Sequence, residues 1–151
     1  MPSGPAETRV LREVREDDLD ALFEQQREPE ANEMAIFPAR DREAFHAHWR
    51  RVLANPSNVV RVIEADGEVA GNIGSWEQDG QRFVGYWIGR DYWGRGFATA
   101  ALGELAAELP RPLHAWVARS NVGSIRVLEK CGFARVAERT TDIEELLYEL
   151  S

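Results

Sequence analysis

Apolar positions fall at helical spacing in two early stretches and alternate or run together over most of the remaining chain. In residues 16–28, Leu19, Leu22 and Phe23 share one helical face, and Pro29 marks the stop. Asp41 suits a helix N-cap. The helix it opens runs to Ala54 with Phe45, Trp49, Val52 and Leu53 as its buried stripe, and Asn55-Pro56 ends it. A short strand at 9–13 precedes the first helix. Residues 58–65 and 68–76 read as two strands joined by Asp66-Gly67, a dipeptide suited to a two-residue hairpin turn. Gln78-Asp79-Gly80 turns the chain into a third antiparallel strand at 82–89. A helix at 96–109 comes next, then Pro110-Arg111-Pro112 and a strand at 113–118. Asn121 caps a short helix through Lys130, with Gly132 at its C-terminal side. Strands at 133–139 and 143–150 close the chain. The predicted order is β-α-α-β-β-β-α-β-α-β-β. Three meandering strands ahead of the later β-α units require a mixed sheet, α/β with α+β character, rather than a purely parallel one. Residues 1–7 read as a tail and 8–151 as a single domain. The loop at 30–40 carries Met34, Ile36 and Phe37 in a polar context, and is expected either to fold onto a cleft or to pack under the second helix.

The densest chemistry lies at 86–102, where an apolar strand passes through Trp93-Gly94-Arg95-Gly96-Phe97-Ala98-Thr99 into a helix. Glycines at such a bend leave the backbone N–H groups open to approach. The helix start adds unpaired N–H groups and the positive end of its dipole. Residues 94–99 are therefore expected to seat a phosphate or pyrophosphate. A dinucleotide fingerprint fits poorly: the loop comes after a meander rather than opening the first βαβ unit, and 112–118 offers no ribose-binding acid. A Walker loop needs Gly-Lys-Ser/Thr, which is absent.

Composition narrows the partners. With 151 residues, 44% apolar and 29% charged, the chain is long enough for one domain with a true core. A net charge of -8 disfavours nucleic acid and favours a cationic acceptor such as an amine. The 17 arginines against one lysine read first as genomic bias. The single Cys131 excludes an intramolecular disulfide and fits a reducing compartment. No apolar run approaches the ~18 residues of a membrane span, and the N-terminus lacks an apolar signal core, so the expectation is a cytoplasmic protein with no membrane partner. No metal is expected.

The second motif is Asn121-Val122-Gly123-Ser124, opening the helix that ends Leu128-Glu129-Lys130-Cys131-Gly132-Phe133. Asn121 and Ser124 sit on its first turn. Asn121 alone reads as an N-cap. Beside a phosphate loop on the preceding βα unit, it and Ser124 are placed to meet a ligand in the crevice between two helix N-termini. Taken together, the two motifs resemble the GNAT superfamily of acyl-CoA-dependent N-acyltransferases over roughly 8–150, and most nearly its branch of ribosomal-protein N-terminal acetyltransferases.

The resemblance implies a V-shaped split between the strands at 82–89 and 113–118, with acetyl-CoA as co-substrate. Its pyrophosphate would lie on Trp93, Gly94, Arg95, Gly96, Phe97, Ala98 and Thr99, and its pantetheine arm against Trp87, Ile88 and Gly89 and near Asn121 and Ser124. Three family positions depart: Trp93 stands where the loop usually starts with Gln or Arg, Leu128 where many members carry a thiolate-protonating Tyr, and Val84 where many carry a Glu base. For Leu128, the resemblance offers a substitute: Ser124 inherits the thiolate-protonating role, with Asn121 fixing the pantetheine. The base is open between Glu77, His114 and a water chain; Glu77 is expected near the mouth of the cleft. Met34, Phe37, Trp76, Tyr86 and Trp116 are expected to line the acceptor site, where aromatic faces suit a cation. The implied activity is transfer of an acetyl group to a primary amine of a small molecule or a peptide N-terminus, by a monomer or homodimer. A non-catalytic acyl-CoA sensor is the alternative that Val84 keeps open.

Overall fold

The computed structural model describes residues 9–29 and 40–151. Within them the elements take the predicted order: β1 (Arg9–Glu13), α1 (Leu19–Gln26), α2 (Arg42–Ala54), β2 (Val59–Ala65), β3 (Glu68–Gln78), β4 (Gln81–Ile88), α3 (Phe97–Glu108), β5 (Leu113–Ala118), α4 (Val122–Lys130), β6 (Ala134–Thr140) and β7 (Glu144–Leu150). Local chemistry accounts for several boundaries. The Asp41 carboxylate accepts the Ala44 N–H at 2.8 Å and caps α2. Asp66 and Gly67 take φ of 49° and 82°, as the tight hairpin requires.

The first helix begins later than its periodicity predicts. Glu16–Asp18 forms a 3-10 turn, because Asp18 is drawn inward. Its carboxylate accepts two N–H groups of the Arg12 guanidinium, each at 2.8 Å, and the Arg15 backbone N–H at 2.7 Å. That guanidinium holds the Asp18 carboxyl below its ordinary range, against the opposing effect of burial.

The strands form one seven-stranded sheet in the order β1-β2-β3-β4-β5-β7-β6. Every neighbouring pair is antiparallel except β4 and β5. Alternation along each strand sends side chains to two faces. On one face α3 and α4 cover the larger core, where Phe97, Leu102 and Leu105 meet Ile73, Val84, Leu113 and Val117. On the other, α1 and α2 bring Leu19, Leu22, Phe23, Phe45 and Trp49 against Val60 and Val69.

The sheet is parted in the middle. β4 and β5 pair only at Arg82↔Leu113 and Phe83↔His114, the closed end of a V. Each strand keeps its outer partner well beyond that point, β4 with β3 as far as Gly71↔Ile88 and β5 with β7 as far as Ala118↔Glu145. The inner edges of β4 and β5 therefore face each other without ladder bonds between them, a rare arrangement for backbone groups inside a sheet.

Candidate active site

The loop after β4 carries two left-handed glycines, Gly94 at φ 72° and Gly96 at φ 80°. Gly96 is the N-cap of α3, and no side chain caps that helix. The first-turn N–H groups thus receive no capping oxygen from an N-cap side chain, and the helix geometry gives them no intrahelical acceptor. A Cβ built on Gly94 would meet nothing within 4 Å, so this stretch of backbone borders open space. That space is a cavity of about 440 Å³. β4 lines it with Tyr86, Trp87 and Ile88, the loop with Trp93, Gly94 and Gly96, and α3 with Phe97, Ala98 and Thr99. Asn121 and Ser124 close the far side. Most of the residues expected to hold acetyl-CoA are therefore brought together.

Two of that set are not. The Gly89 N–H is already donated to the Ala70 carbonyl at 2.8 Å. The Arg95 guanidinium lies over the rings of Tyr92 and Phe97, 5.3 Å from each, and donates to the Asp91 carbonyl at 3.3 Å. Conversely, Arg126 and Lys130 border the cavity and escaped sequence reasoning. The signal was present: they lie four residues apart on α4, on the side that also shows Gly123 and Val127. They place two cations on the same cavity as the α3 N-terminus.

Asn121 and Ser124 form a compact unit. The Asn121 side-chain oxygen accepts the Ser124 N–H at 3.3 Å and so caps α4. The Ser124 hydroxyl shares a 2.8 Å hydrogen bond with the Tyr86 hydroxyl. Burial pushes the Tyr86 phenol above its ordinary value of 10, so it stays protonated at neutral pH. The placement of Tyr86 differs from expectation. Strand alternation puts it with Val84 and Ile88 on the face covered by α3 and α4, opposite to the face of Trp76 and Trp116, although it borders the cavity that Trp116 lines as well as the larger one. Asn121→Ala is expected to lower stability by about 1 kcal/mol through loss of the cap, and to weaken acetyl-CoA binding separately. Thermal melts of the free protein and calorimetric titration with acetyl-CoA distinguish the two effects.

A second cavity, of about 180 Å³, is bordered by Tyr86, Trp87, Asn121 and Ser124, all of which also border the first. Its remaining lining comes from both faces of the sheet: Leu102 and Leu128 from behind, Gly85, Trp116 and Glu145 from the front. It is a passage through the V. At its front end the Arg139 Nε donates to Glu145 at 2.9 Å, while the same guanidinium lies 3.7 Å from the centre of the Trp116 ring. Trp76 stacks on Phe83 with centroids 6.3 Å apart, and its ring edge would stand 3.1 Å from a Cβ on Gly85. Trp76 and Trp116 are thus both found on the front side. Met34 and Phe37, expected beside them, lie outside the described residues.

The two base candidates sit elsewhere. The register Glu77↔Arg82 places Glu77 at the closed end of the V, not at its mouth. Its carboxylate faces Arg82 at 3.1 Å and is 60% exposed. His114 is buried, tilted against Phe83, with Nε2 3.0 Å from the Glu149 carboxylate and no partner for Nδ1. Neither borders either of these two cavities. Among the described residues Glu145 is the one carboxylate that borders either of the two. No local pattern singles it out, because its importance depends on β7 lying next to β5 across the split. Among the described residues no group of His, Cys, Asp and Glu is arranged to hold a metal, and no helix is long and apolar enough to cross a membrane.

Residues 9–134 match the family model described as acetyltransferase (GNAT) domain. No curated protein matches the sequence. Solved structures resemble it in fold. A domain from Methanocaldococcus jannaschii superposes with a TM-score of 0.82 at 18% identity, covering 96% of this chain and 99% of its own. Aminoglycoside acetyltransferase AAC(6')-Ib in complex with coenzyme A and kanamycin gives 0.82 at 22% identity over 95% of each chain. A GNAT-family acetyltransferase from Bacillus anthracis gives 0.78 at 18% identity, covering 94% and 93%.

Proposed function

The chain belongs to the GNAT acetyltransferase family and is an acetyl-CoA-dependent acetyltransferase, and from that premise we propose that it acetylates a primary amine of a small cationic molecule or a peptide N-terminus by direct attack on the thioester. One observation carries this reading: the cavity in the parting of the sheet shares four lining residues with the cavity behind the V and is bordered in front by a carboxylate and aromatic rings. An amine arriving from the front would meet the acyl carbon without entering the donor cavity. The resemblance to an enzyme solved with kanamycin supports an amine acceptor, and the net charge of -8 favours a cationic one.

The residues fit the coenzyme. The uncapped α3 N-terminus suits a pyrophosphate, and Arg126 and Lys130 add positive charge beside it. The coenzyme supplies an acyl group already activated as a thioester. The chain's own residues position the reactants and move two protons. The amine must lose a proton, and Glu145 at the front of the passage is placed to take it and pass it to solvent. The nitrogen–carbon bond forms as the carbon–sulfur bond breaks. The sulfur needs a proton, which the Ser124 hydroxyl can give while Tyr86 donates to Ser124 in turn; the second proton that the nitrogen sheds on becoming an amide returns through solvent to the hydroxyl pair and restores it. This reading puts the reaction in the cytoplasm, where the single Cys131 would stay reduced.

Thiol release from acetyl-CoA across a panel of polyamines, aminoglycosides and peptides with free N-termini tests the proposal. Saturable release with at least one amine is expected. Tight acetyl-CoA binding with no release from any acceptor would overturn it and leave a binding module.

A further inference from the structure

The guanidinium of Arg139 already occupies a seat with the chemistry of an amine-binding site. Its Nε donates to the Glu145 carboxylate, and its carbon lies 3.7 Å from the centre of the Trp116 ring. An anion on one side and an aromatic face on the other are what a cationic acceptor would seek. Both partners border the passage, which Tyr86 and Ser124, joined through their hydroxyls, also line.

Register explains how the arrangement is built. Arg139 on β6 is directly opposite Glu145 on β7. Glu145 is in turn opposite Ala118 on β5, and Trp116 opposite Leu147, so Trp116 and Glu145 are diagonal neighbours on one face. Arg139 therefore reaches across β7 to lie on Trp116. The Glu145 side chain is 19% exposed, so this ion pair is more shielded than the ordinary surface kind. Arg139 itself is 45% exposed and sits on the last strand of the sheet, where solvent gives it somewhere to go.

Resting on the acetyltransferase reading, we infer that Trp116 and Glu145 form the seat for the acceptor's cationic nitrogen, and that Arg139 is an internal occupant which the acceptor must displace. The contact makes Arg139 a specificity-determining residue. It sets a threshold that weakly bound or uncharged acceptors do not pass, because they gain too little at the seat to replace a bonded guanidinium. A polycation can move Arg139 aside and take both of its partners.

The test uses the full chain saturated with coenzyme A and a triamine, spermidine, as the probe. Binding is read by calorimetry and, where turnover occurs, KM and kcat are read by thiol release. Arg139→Gln is expected to bind spermidine about three- to tenfold more tightly than the wild type and to lower KM by a similar factor, with coenzyme A affinity unchanged. Glu145→Gln and Trp116→Leu should each weaken spermidine binding, and the benefit of Arg139→Gln should vanish when combined with Glu145→Gln. Equal spermidine affinity in the wild type and Arg139→Gln, or weaker binding in Arg139→Gln with melting temperature retained, would overturn the inference. Because the calorimetric reading needs no turnover, an absence of acetyl transfer would count against the proposed function, while the displacement idea would stand or fall on binding alone.

Discussion

Gly96→Val is expected to lower acetyl-CoA affinity at least 100-fold, about 2.7 kcal/mol, in a protein that still folds. Gly96 sits at φ 80° at the N-cap of α3, a conformation that costs an ordinary L-residue about 1–2 kcal/mol and a β-branched one more. The chain would relieve that strain by rebuilding the helix start, and the first-turn N–H groups would lose their common direction toward the cavity. Whatever stayed in place would carry a branched side chain where a phosphate must approach the bare backbone. Calorimetry with coenzyme A, alongside circular dichroism to verify folding, measures the effect. Wild-type affinity in a folded Gly96→Val protein would remove the phosphate seat from its assigned place.

Ser124→Ala is expected to lower kcat about 10- to 100-fold, or about 1.4–2.7 kcal/mol of transition-state stabilisation, with acetyl-CoA affinity nearly unchanged. Leu128, buried behind the passage, has no proton to give, so the departing sulfur depends on the hydroxyl pair. Tyr86→Phe should also lower kcat, since Tyr86 is the hydrogen-bond partner of Ser124. The double variant should be hardly slower than the worse single one, because the two hydroxyls act as one chain. Both losses should shrink with an acyl donor whose thiol is more acidic, as that group leaves with less help. Equal rates for wild type and Ser124→Ala with acetyl-CoA would show that the sulfur departs unaided or takes its proton from water.

Local signals were the readable ones. The Asp66-Gly67 hairpin, the Asp41 and Asn121 caps and the glycine bend each express their physics within four residues, and each is found where the sequence predicts. The order of elements derives from them, and so does most of the donor cavity. The features that escaped depend on strands distant in sequence. Glu77 comes after Trp76 and looks like a strand end near a mouth, but only the pairing of Arg82 with Leu113 reveals which end of β4 is closed. Tyr86 belongs to one face or the other according to strand parity, which the glycine-broken pattern of β4 leaves ambiguous. Glu145 and Arg139 meet across a β6–β7 pairing whose register shifts between Arg135 and Ala137, an irregularity no local pattern announces. Asp18 has the sequence context of an ordinary first-turn acid, and its burial is due to Arg12 on a different element.

The parting of β4 from β5 separates what inheritance can alter. The larger cavity, which the proposed function assigns to the coenzyme, is lined by one loop and two helix starts behind the sheet, while Trp116, Glu145 and Arg139 project in front of it from β5, β7 and β6. Substitutions in front leave the backbone of the glycine bend untouched, and among the described residues only Tyr86, Trp87, Asn121 and Ser124 border both cavities. A lineage can therefore change its acceptor by drifting on three strands while four residues and a glycine bend keep the donor. Solved structures that share this shape at 18–24% identity have the same fold around a different sequence.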